Sequence, residues 1–530
     1  MTTETDNPRP IPEPRLRVAL GSVLAVAVVL LFLGADSTPL FDPDESRFAR
    51  TSVEMLRSGD PVVPSFEGRP RLVKPPLLHW IQAALFGAFG IREGLARLPS
   101  IGATLGSALL LAWLARRRFG PEGGVWAAVL FLSFPLVVIV GRLGTLDALL
   151  SIHVLAVVVL DLGGPRDRPG YVAVATGALI GLAFLIKGPV GVILPLLVIL
   201  AGRTASRREL LTSWRSLLLG ILAAAAVVLP WGLAFLRRVG GPAVGDTLRE
   251  QVLERYFVGH DHVSPAWFLV AVMFVGFLPW GSALIAGLIR VGSRWRDPAA
   301  RTALYAAAGL VAGLIFFSLG KSKLPTYILP LAPLVALVIT WELEQEVQRA
   351  RGSRLVAWSL TSSCVLLAVG LAWAGVSRLE EGPRRVALLG AAVFAVGALA
   401  SVPGALRRRP RWVYGTVAAA GLTFLLVAVV VLPHDLSRRR STADLIEAVP
   451  ALAGTTRVAV VDMKLPSLTF YLDRVPEKID LGQLETRLRR RDELLLVFDE
   501  RDLSRVAPAA MKGLTEVGRQ GKYVVFRHGD

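Results

Sequence analysis

A single cysteine, Cys364, serves the whole 530-residue chain and lies inside an apolar run, which excludes a disulfide framework and a cysteine-based metal site. The usual signatures of soluble nucleotide enzymes are missing too. There is no complete Gly-x-x-x-x-Gly-Lys-Ser/Thr phosphate loop, no dinucleotide Gly-rich turn followed by an acid, and no zinc-protease helix motif. An energy source inside the cytoplasm is therefore not indicated, which favours a substrate already activated in the membrane. Acidic residues are in deficit, 41 against 59 Lys and Arg, giving a net charge of +18. In a soluble chain that excess would suggest nucleic acid. Here the arginines cluster in short gaps between apolar spans and read as topology signals, so no nucleic-acid partner is expected.

What the sequence has in abundance is apolar surface. Hydrophobic residues make up 53% of the chain, and the mean hydropathy is +0.55. That is too apolar for a soluble globular protein of this length and marks a polytopic α-helical membrane protein. Residues 1–15 are polar and Pro-rich and are expected to be disordered. Apolar segments near 16–35, 98–115, 122–140, 145–162, 170–186, 189–202, 214–236, 265–289, 301–319, 325–341, 355–375, 385–402 and 412–432 predict about thirteen spans by the length criterion. The first is too long, and too directly followed by an acidic loop, for a cleaved signal peptide. Residues 77–90 are shorter and read as a re-entrant or interfacial segment.

If the spans alternate, the Arg clusters at 15/17, 116–118, 166/168, 203–208, 290–296, 349–354 and 407–411 fall on one side, which the positive-inside rule makes cytoplasmic. The opposite, external side then receives the loop 36–97, the turn from Arg142 to Asp147, Lys187, the loop from Arg237 to Ser264, Lys321 to Lys323, and the tail. The expected divisions are a transmembrane module over 16–345, further helices over 346–432 and a small external α/β domain over 433–530. In that tail, 458–461, 493–498 and 522–526 predict buried strands, and 441–449 and 481–491 predict helices.

The polar stretches between the spans carry the chemistry. Asp44 to Arg57 reads as an amphipathic helix that Gly59-Asp60-Pro61 ends, lying where a membrane helix meets water. Lys74-Pro75-Pro76 stops any helix before it and starts the next. In Gly141-Arg142-Leu143-Gly144-Thr145-Leu146-Asp147, Asp147 is either a helix cap or a group that positions a sugar hydroxyl or Arg142. Lys187-Gly188-Pro189 interrupts an apolar run, and a lysine there either snorkels or meets an anion. Lys321, Ser322, Lys323 and Tyr327 at the mouth of a span suit a phosphate, or serve as interfacial anchors. His260-Asp261-His262 is a weak candidate for a divalent metal.

Read in order, Asp44-Glu45-Ser46-Arg47-Phe48-Ala49, Ser58-Gly59-Asp60, Lys74-Pro75-Pro76, Arg97-Leu98-Pro99-Ser100, Gly141-Arg142 with Thr145-Leu146-Asp147, Lys187-Gly188, Phe277-Leu278-Pro279-Trp280 and Lys321 to Tyr327 form a recognisable pattern. The chain resembles the aminoarabinose lipid A transferases and the wider membrane glycosyltransferases of the GT-C fold, which include the protein O-mannosyltransferases. The resemblance covers about residues 16–345 by motif and the rest by layout.

It implies a multi-pass protein of the bacterial inner membrane, a monomer among membrane lipids, that takes a polyprenyl-phosphate-linked sugar donor and a lipid or glycan acceptor. Asp44 maps to the family's candidate catalytic carboxylate, with Glu45 and Asp147 as further acidic candidates. The implied substrate-binding set is Arg47, Lys74, Arg142, Lys187, Arg255, Lys321, Lys323 and Tyr327. In relatives a glutamate often precedes the Lys-Pro-Pro lysine and joins a histidine in one proposed metal site; here that position is Val73. Alternatives that the residues leave open are transfer to protein Ser/Thr, and a flippase for a lipid-linked anion. No convincing repeat between the halves supports a transporter, and a scaffold leaves the clustering of Asp44, Lys74, Asp147 and Lys187 unexplained.

Overall fold

The computed structural model describes residues 12–165, 167–209, 213–259, 262–349, 352–377, 380–490 and 492–529. Among these, ten helices are long and apolar enough to cross a membrane, or eleven if one bent pair counts as a span. Three features account for the difference from about thirteen. The runs at 98–115 and 122–140 lie within Glu93–Leu132 and the short helix Pro135–Gly141 that follows it; Glu93–Leu132 is two helices meeting at Gly120, whose backbone is not helical (φ 88°, ψ 174°), and the ten count them as one. The run at 189–202 forms a helix of 17 residues, Pro189–Ala205, shorter than a full span. The run at 265–289 breaks into Phe268–Gly276 and Gly281–Ser293, bent by 112° around Phe277-Leu278-Pro279-Trp280.

The chain divides into two compact units. One comprises residues 1–33, 72–78 and 97–430; the other comprises 34–71, 79–96 and 431–530. In the first unit, helices pack through small residues. A Cβ added at Gly177, in helix Pro169–Lys187, would lie 2.0 Å from the carbonyl oxygen of Gly220 in helix Trp214–Val239. Backbones that approach so closely leave no room for a side chain. Gly177→Val is expected to separate these helices, seen as a sharp fall in the monodisperse fraction after detergent extraction.

Several charges buried in this unit are paired. Arg290 meets Glu342 and Glu346, and Arg411 grips Glu122 with two hydrogen bonds of 2.5 and 2.6 Å. Arg142 turns its guanidinium onto the carbonyl oxygens of Leu30 and Leu33, at the end of helix Glu13–Phe32, where unpaired carbonyls attract a cation.

In the second unit, the amphipathic stretch forms helix Asp44–Ser58, stopped by Gly59. Its apolar face joins Leu40, Ala49, Val53, Phe86 and Ala96, with Phe470 of the tail packed against them. A short hairpin pairs β1 (Ser65–Phe66) with β2 (Arg69–Pro70). The tail folds as a five-stranded sheet of β3 (Arg457–Val461), β4 (Glu477–Ile479), β5 (Leu494–Asp499), β6 (Leu514–Gln520) and β7 (Tyr523–His528), in the order β4-β3-β5-β7-β6. β3 pairs in parallel with β4 and β5, whereas β7 pairs antiparallel with β5 and β6.

Alternation within the strands gives the sheet two buried faces. Val458, Val460, Leu495, Val497 and Val525 pack with Leu445, Val449 and Leu468. Ala459, Val461, Leu496, Phe498 and Val524 pack with Leu484, Val506 and Ala510 on the other side. The helix expected at 441–449 is Ala443–Ala448, and only Leu484–Leu488 of 481–491 is α-helical.

Arg487 fastens one edge of the tail, donating to Glu477 at 2.6 and 2.9 Å and to Asp492 at 2.8 and 2.9 Å. The Arg487 guanidinium holds Glu477 below its ordinary range and Asp492 at about 2, against 3.8 when unperturbed. Both carboxylates are lowered on folding, so their contribution to stability is full above the unfolded value and is lost as pH falls through the folded one. Wild type and Arg487→Met should therefore differ most in tail unfolding temperature near neutral pH and converge as pH approaches 2. An equal gap at both ends of that range would remove this role from the trio.

Candidate functional site

A cavity of about 590 Å³ opens within the transmembrane unit. Leu72, Val73, Lys74 and Pro75 form part of its wall, together with Phe184, Lys187, Gly188, Trp231, Phe235, Tyr256, Phe316, Phe317, Ser322 and Tyr327. Most of that lining is apolar or aromatic. Trp231 stacks on Phe235 at 4.9 Å, and Tyr256 lies 5.7 Å from Phe316 while donating its hydroxyl proton to the Phe316 carbonyl at 2.9 Å.

Two lysines bring charge to this greasy wall. Lys187 ends helix Pro169–Lys187, and the next helix begins at Pro189. Gly188 between them has φ 62°, a conformation that a side chain disfavours, so the Lys-Gly-Pro break sets the lysine's direction. The Lys187 ammonium pairs with Asp147 at 2.5 Å and sits 4.6 Å from the centre of the Tyr327 ring. Only 8% of the Lys187 side chain and 12% of the Asp147 side chain is exposed, so the pair is shielded, and loss of one partner would leave the other an uncompensated buried charge. Asp147 occupies the first turn of helix Leu146–Gly163, where the helix dipole also favours its charge. The Ser322 hydroxyl oxygen is buried in the cavity wall and has no partner among the described residues.

The remaining sequence candidates with described side chains are not among the residues that line the cavity. Lys321 is exposed; Lys323 is buried and donates to the Ser264 carbonyl at 2.6 Å; neither lines the cavity. Arg142 serves the end of the first helix, as described above. Arg255 lies in a helical segment, but its side chain, like all of His260, is outside the described residues. Within the second unit, Asp44 opens its helix with its side chain half exposed and pairs with Arg47 at 3.5 Å. Glu45 is buried and accepts the Phe41 amide proton at 2.9 Å. Arg71, which the sequence reading did not single out, stacks over the Phe48 ring at 5.1 Å; burial, with repulsion from Arg47, pushes it down to about 10. Its signal is faint, one arginine in a Gly-Arg-Pro-Arg run.

Three comparisons bear on this geometry. Residues 73–232 match the family described as dolichyl-phosphate-mannose-protein mannosyltransferase. The undecaprenyl phosphate-alpha-4-amino-4-deoxy-L-arabinose arabinosyl transferase of Edwardsiella ictaluri is 29% identical over 470 residues, 82% of this chain and 80% of that protein. Its namesake in Pseudomonas aeruginosa is 35% identical over 350 residues, 63% of this chain and 61% of its own. The crystal structure of ArnT from Cupriavidus metallidurans bound to undecaprenyl phosphate matches with a TM-score of 0.79 at 25% identity, covering 96% of this chain and 97% of that one. The chain is an ArnT-like membrane glycosyltransferase of the GT-C fold.

For this glycosyltransferase the residues do not gather a metal site. Among the described residues, no group of three or more His, Cys, Asp or Glu side chains is placed to hold an ion. Val73 in the cavity wall offers no ligand atom. His79 is fully buried, its Nδ1 meets the Ser52 hydroxyl at 2.9 Å, and burial pushes its imidazole down to about 3. Of the weak candidate group His260-Asp261-His262, the first two lie outside the described residues. No step of the reaction is therefore routed through a metal.

Proposed function

We propose that this glycosyltransferase transfers a sugar of the aminoarabinose class from a polyprenyl-phosphate carrier to a lipid acceptor such as lipid A, on the external face of the bacterial inner membrane. The observation that carries the reading is the cavity. Its aromatic and aliphatic wall suits an isoprenoid chain, while Lys74, Lys187, Tyr327 and the unpartnered Ser322 hydroxyl suit a phosphate. The names of the relatives, and the carrier bound in the ArnT crystal structure, support the same donor. The Arg clusters support an N-terminus in the cytoplasm with the tail outside.

In the reaction, the bond between the anomeric carbon and the carrier's phosphate oxygen breaks and its electron pair stays with the phosphate. Negative charge grows there, so ammonium groups in a dry cavity stabilise the transition state more than the ground state. Lys74 and Lys187 fill that role, and Arg255, Lys321 and Lys323 remain as further cations of the proposed set. The acceptor oxygen forms the new bond to the anomeric carbon. For a hydroxyl acceptor, Asp44 takes its proton as general base, with Arg47 holding the carboxylate. For a phosphate acceptor the nucleophile is already ionised, and Asp44 instead orients the sugar's amine or Arg47.

Mass spectrometry of envelope lipids and proteins from cells with and without the gene tests the assignment. The expected result is the loss of one sugar mass from a lipid in the deleted strain. Loss of a sugar from Ser/Thr of proteins, with lipids unchanged, would overturn the acceptor class.

A further inference from the structure

Asp42 is a half-buried acid that the mechanism does not use, two residues ahead of Asp44. Its carboxylate accepts the Ser467 amide proton at 2.8 Å, the Ser467 hydroxyl, and the Ser46 hydroxyl at 2.5 Å. Ser467 is itself tied to Thr442, hydroxyl to hydroxyl at 2.9 Å, and the Asp42 amide donates to the Arg440 carbonyl at 2.6 Å. Burial raises the Asp42 carboxyl, and the bonds from Ser46 and Ser467 oppose that shift.

A second contact lies further along the same helix. Asp473 receives Arg50 at 2.7 Å and both terminal nitrogens of Arg57. Arg50 is 8% exposed and is held also by Glu54 at 3.0 Å. Ser467 and Asp473 are the start and the cap of one short helix, Pro466–Leu472, whose Phe470 packs into the core beneath Ala49 and Val53. One element of the tail thus holds the Asp44–Ser58 helix at its entry and again about two turns on.

We propose that the tail positions Asp44 through this two-point clamp, with Asp42, Ser467 and Asp473 as positioning residues. The proposal rests on the reading of Asp44 as the reacting carboxylate. Two anchors spaced along a helix fix both its shift along the axis and its rotation, and the first residue of the helix inherits that precision. Asp44 needs it, because among the described residues its ion pair is with Arg47 alone, at a loose 3.5 Å. The Arg57 guanidinium, joined by Arg50, holds the Asp473 carboxyl below its ordinary range, so the clamp stays charged at neutral pH.

The test uses the full-length protein in proteoliposomes with a polyprenyl-phosphate sugar donor. Asp473→Ala and Ser467→Ala are expected to lower kcat by roughly 10- to 100-fold, the scale for misplacing a reacting group by about 1 Å, with donor KM within about twofold. Asp473→Glu, which keeps the charge, should recover most of kcat. Leu495→Ala, in the tail core away from the clamp, is the control: it should lower the unfolding temperature and leave kcat nearly unchanged below that temperature. Unchanged kcat in Asp473→Ala, or a loss that tracks unfolding temperature as in Leu495→Ala, overturns the clamp. Asp44→Asn run in parallel separates the two claims. If it is inactive while Asp473→Ala is fully active, only the clamp falls; if it is active, the reading of Asp44 falls and takes the clamp with it.

Discussion

Asp44→Asn is expected to reduce sugar transfer by at least about 10²-fold while leaving the protein folded and able to bind carrier, since a positioned general base contributes roughly 10²–10⁴. The structure explains why folding should survive. Asp44 is the first residue of a 15-residue helix, its side chain is half exposed, and its partner Arg47 sits at a loose 3.5 Å. An amide keeps the size and much of the dipole compatibility of that position, so about 0.3–1 kcal/mol of helix-terminal electrostatics is at stake. The two measurements are transfer in proteoliposomes and thermal unfolding of the same preparation. Full transfer by the variant removes Asp44 from the mechanism.

The second large effect is expected at Lys187. Its removal withdraws the ammonium from the cavity and also strands Asp147, whose side chain is only 12% exposed. Breaking one side of a buried pair destabilises by roughly 3–5 kcal/mol, so Lys187→Met alone confounds binding with folding. The double variant Asp147→Asn/Lys187→Met removes both charges and should recover much of the folding yield. It should still bind polyprenyl phosphate about 10- to 100-fold more weakly, the order expected for one lost charged hydrogen bond. Titration of the two variants with polyprenyl phosphate, monitored by tryptophan fluorescence, checks this. Wild-type affinity in the well-folded double variant would take the phosphate away from Lys187.

Much of this layout is legible in the sequence, for identifiable reasons. Asp44 to Arg57 announces itself because polar and apolar residues alternate at helical spacing before a glycine, and the helix Asp44–Ser58 follows. Lys187 stands out because a lysine is rare between two apolar runs. β3, β5 and β7 are near-continuous apolar strands buried on both faces, whereas β4 and β6 escaped notice as edge strands. β4 is the three residues Glu477–Ile479, and β6 is half exposed and carries a register shift between Glu516 and Gly518. The cavity wall was not legible either. Trp231, Phe235, Phe316 and Phe317 look like any residues of a membrane span, since facing lipid and facing a lipid-shaped cavity ask for the same side chains. The bonds from Asp42 to Ser467 and from Arg57 to Asp473 join residues more than 400 positions apart and leave no local pattern.

The breaks in the apolar runs were the more informative signal. Gly120 and Gly188 fall between apolar segments already read as separate, whereas the break at Phe277–Trp280 divides the run at 265–289, which hydropathy reads as one span. At Gly188 the break also delivers Lys187 to the cavity wall.

The most direct test of the central claim is a transfer assay in sealed proteoliposomes that contain the purified protein, a polyprenyl-phosphate sugar and a lipid acceptor, with both lipid products quantified by mass spectrometry. Free polyprenyl phosphate and sugar-bearing acceptor should appear in equal amounts, and neither should appear with Asp44→Asn. Movement of intact donor across the bilayer, with the sugar still on its carrier, would contradict the account and make the cavity a passage for a lipid-linked anion.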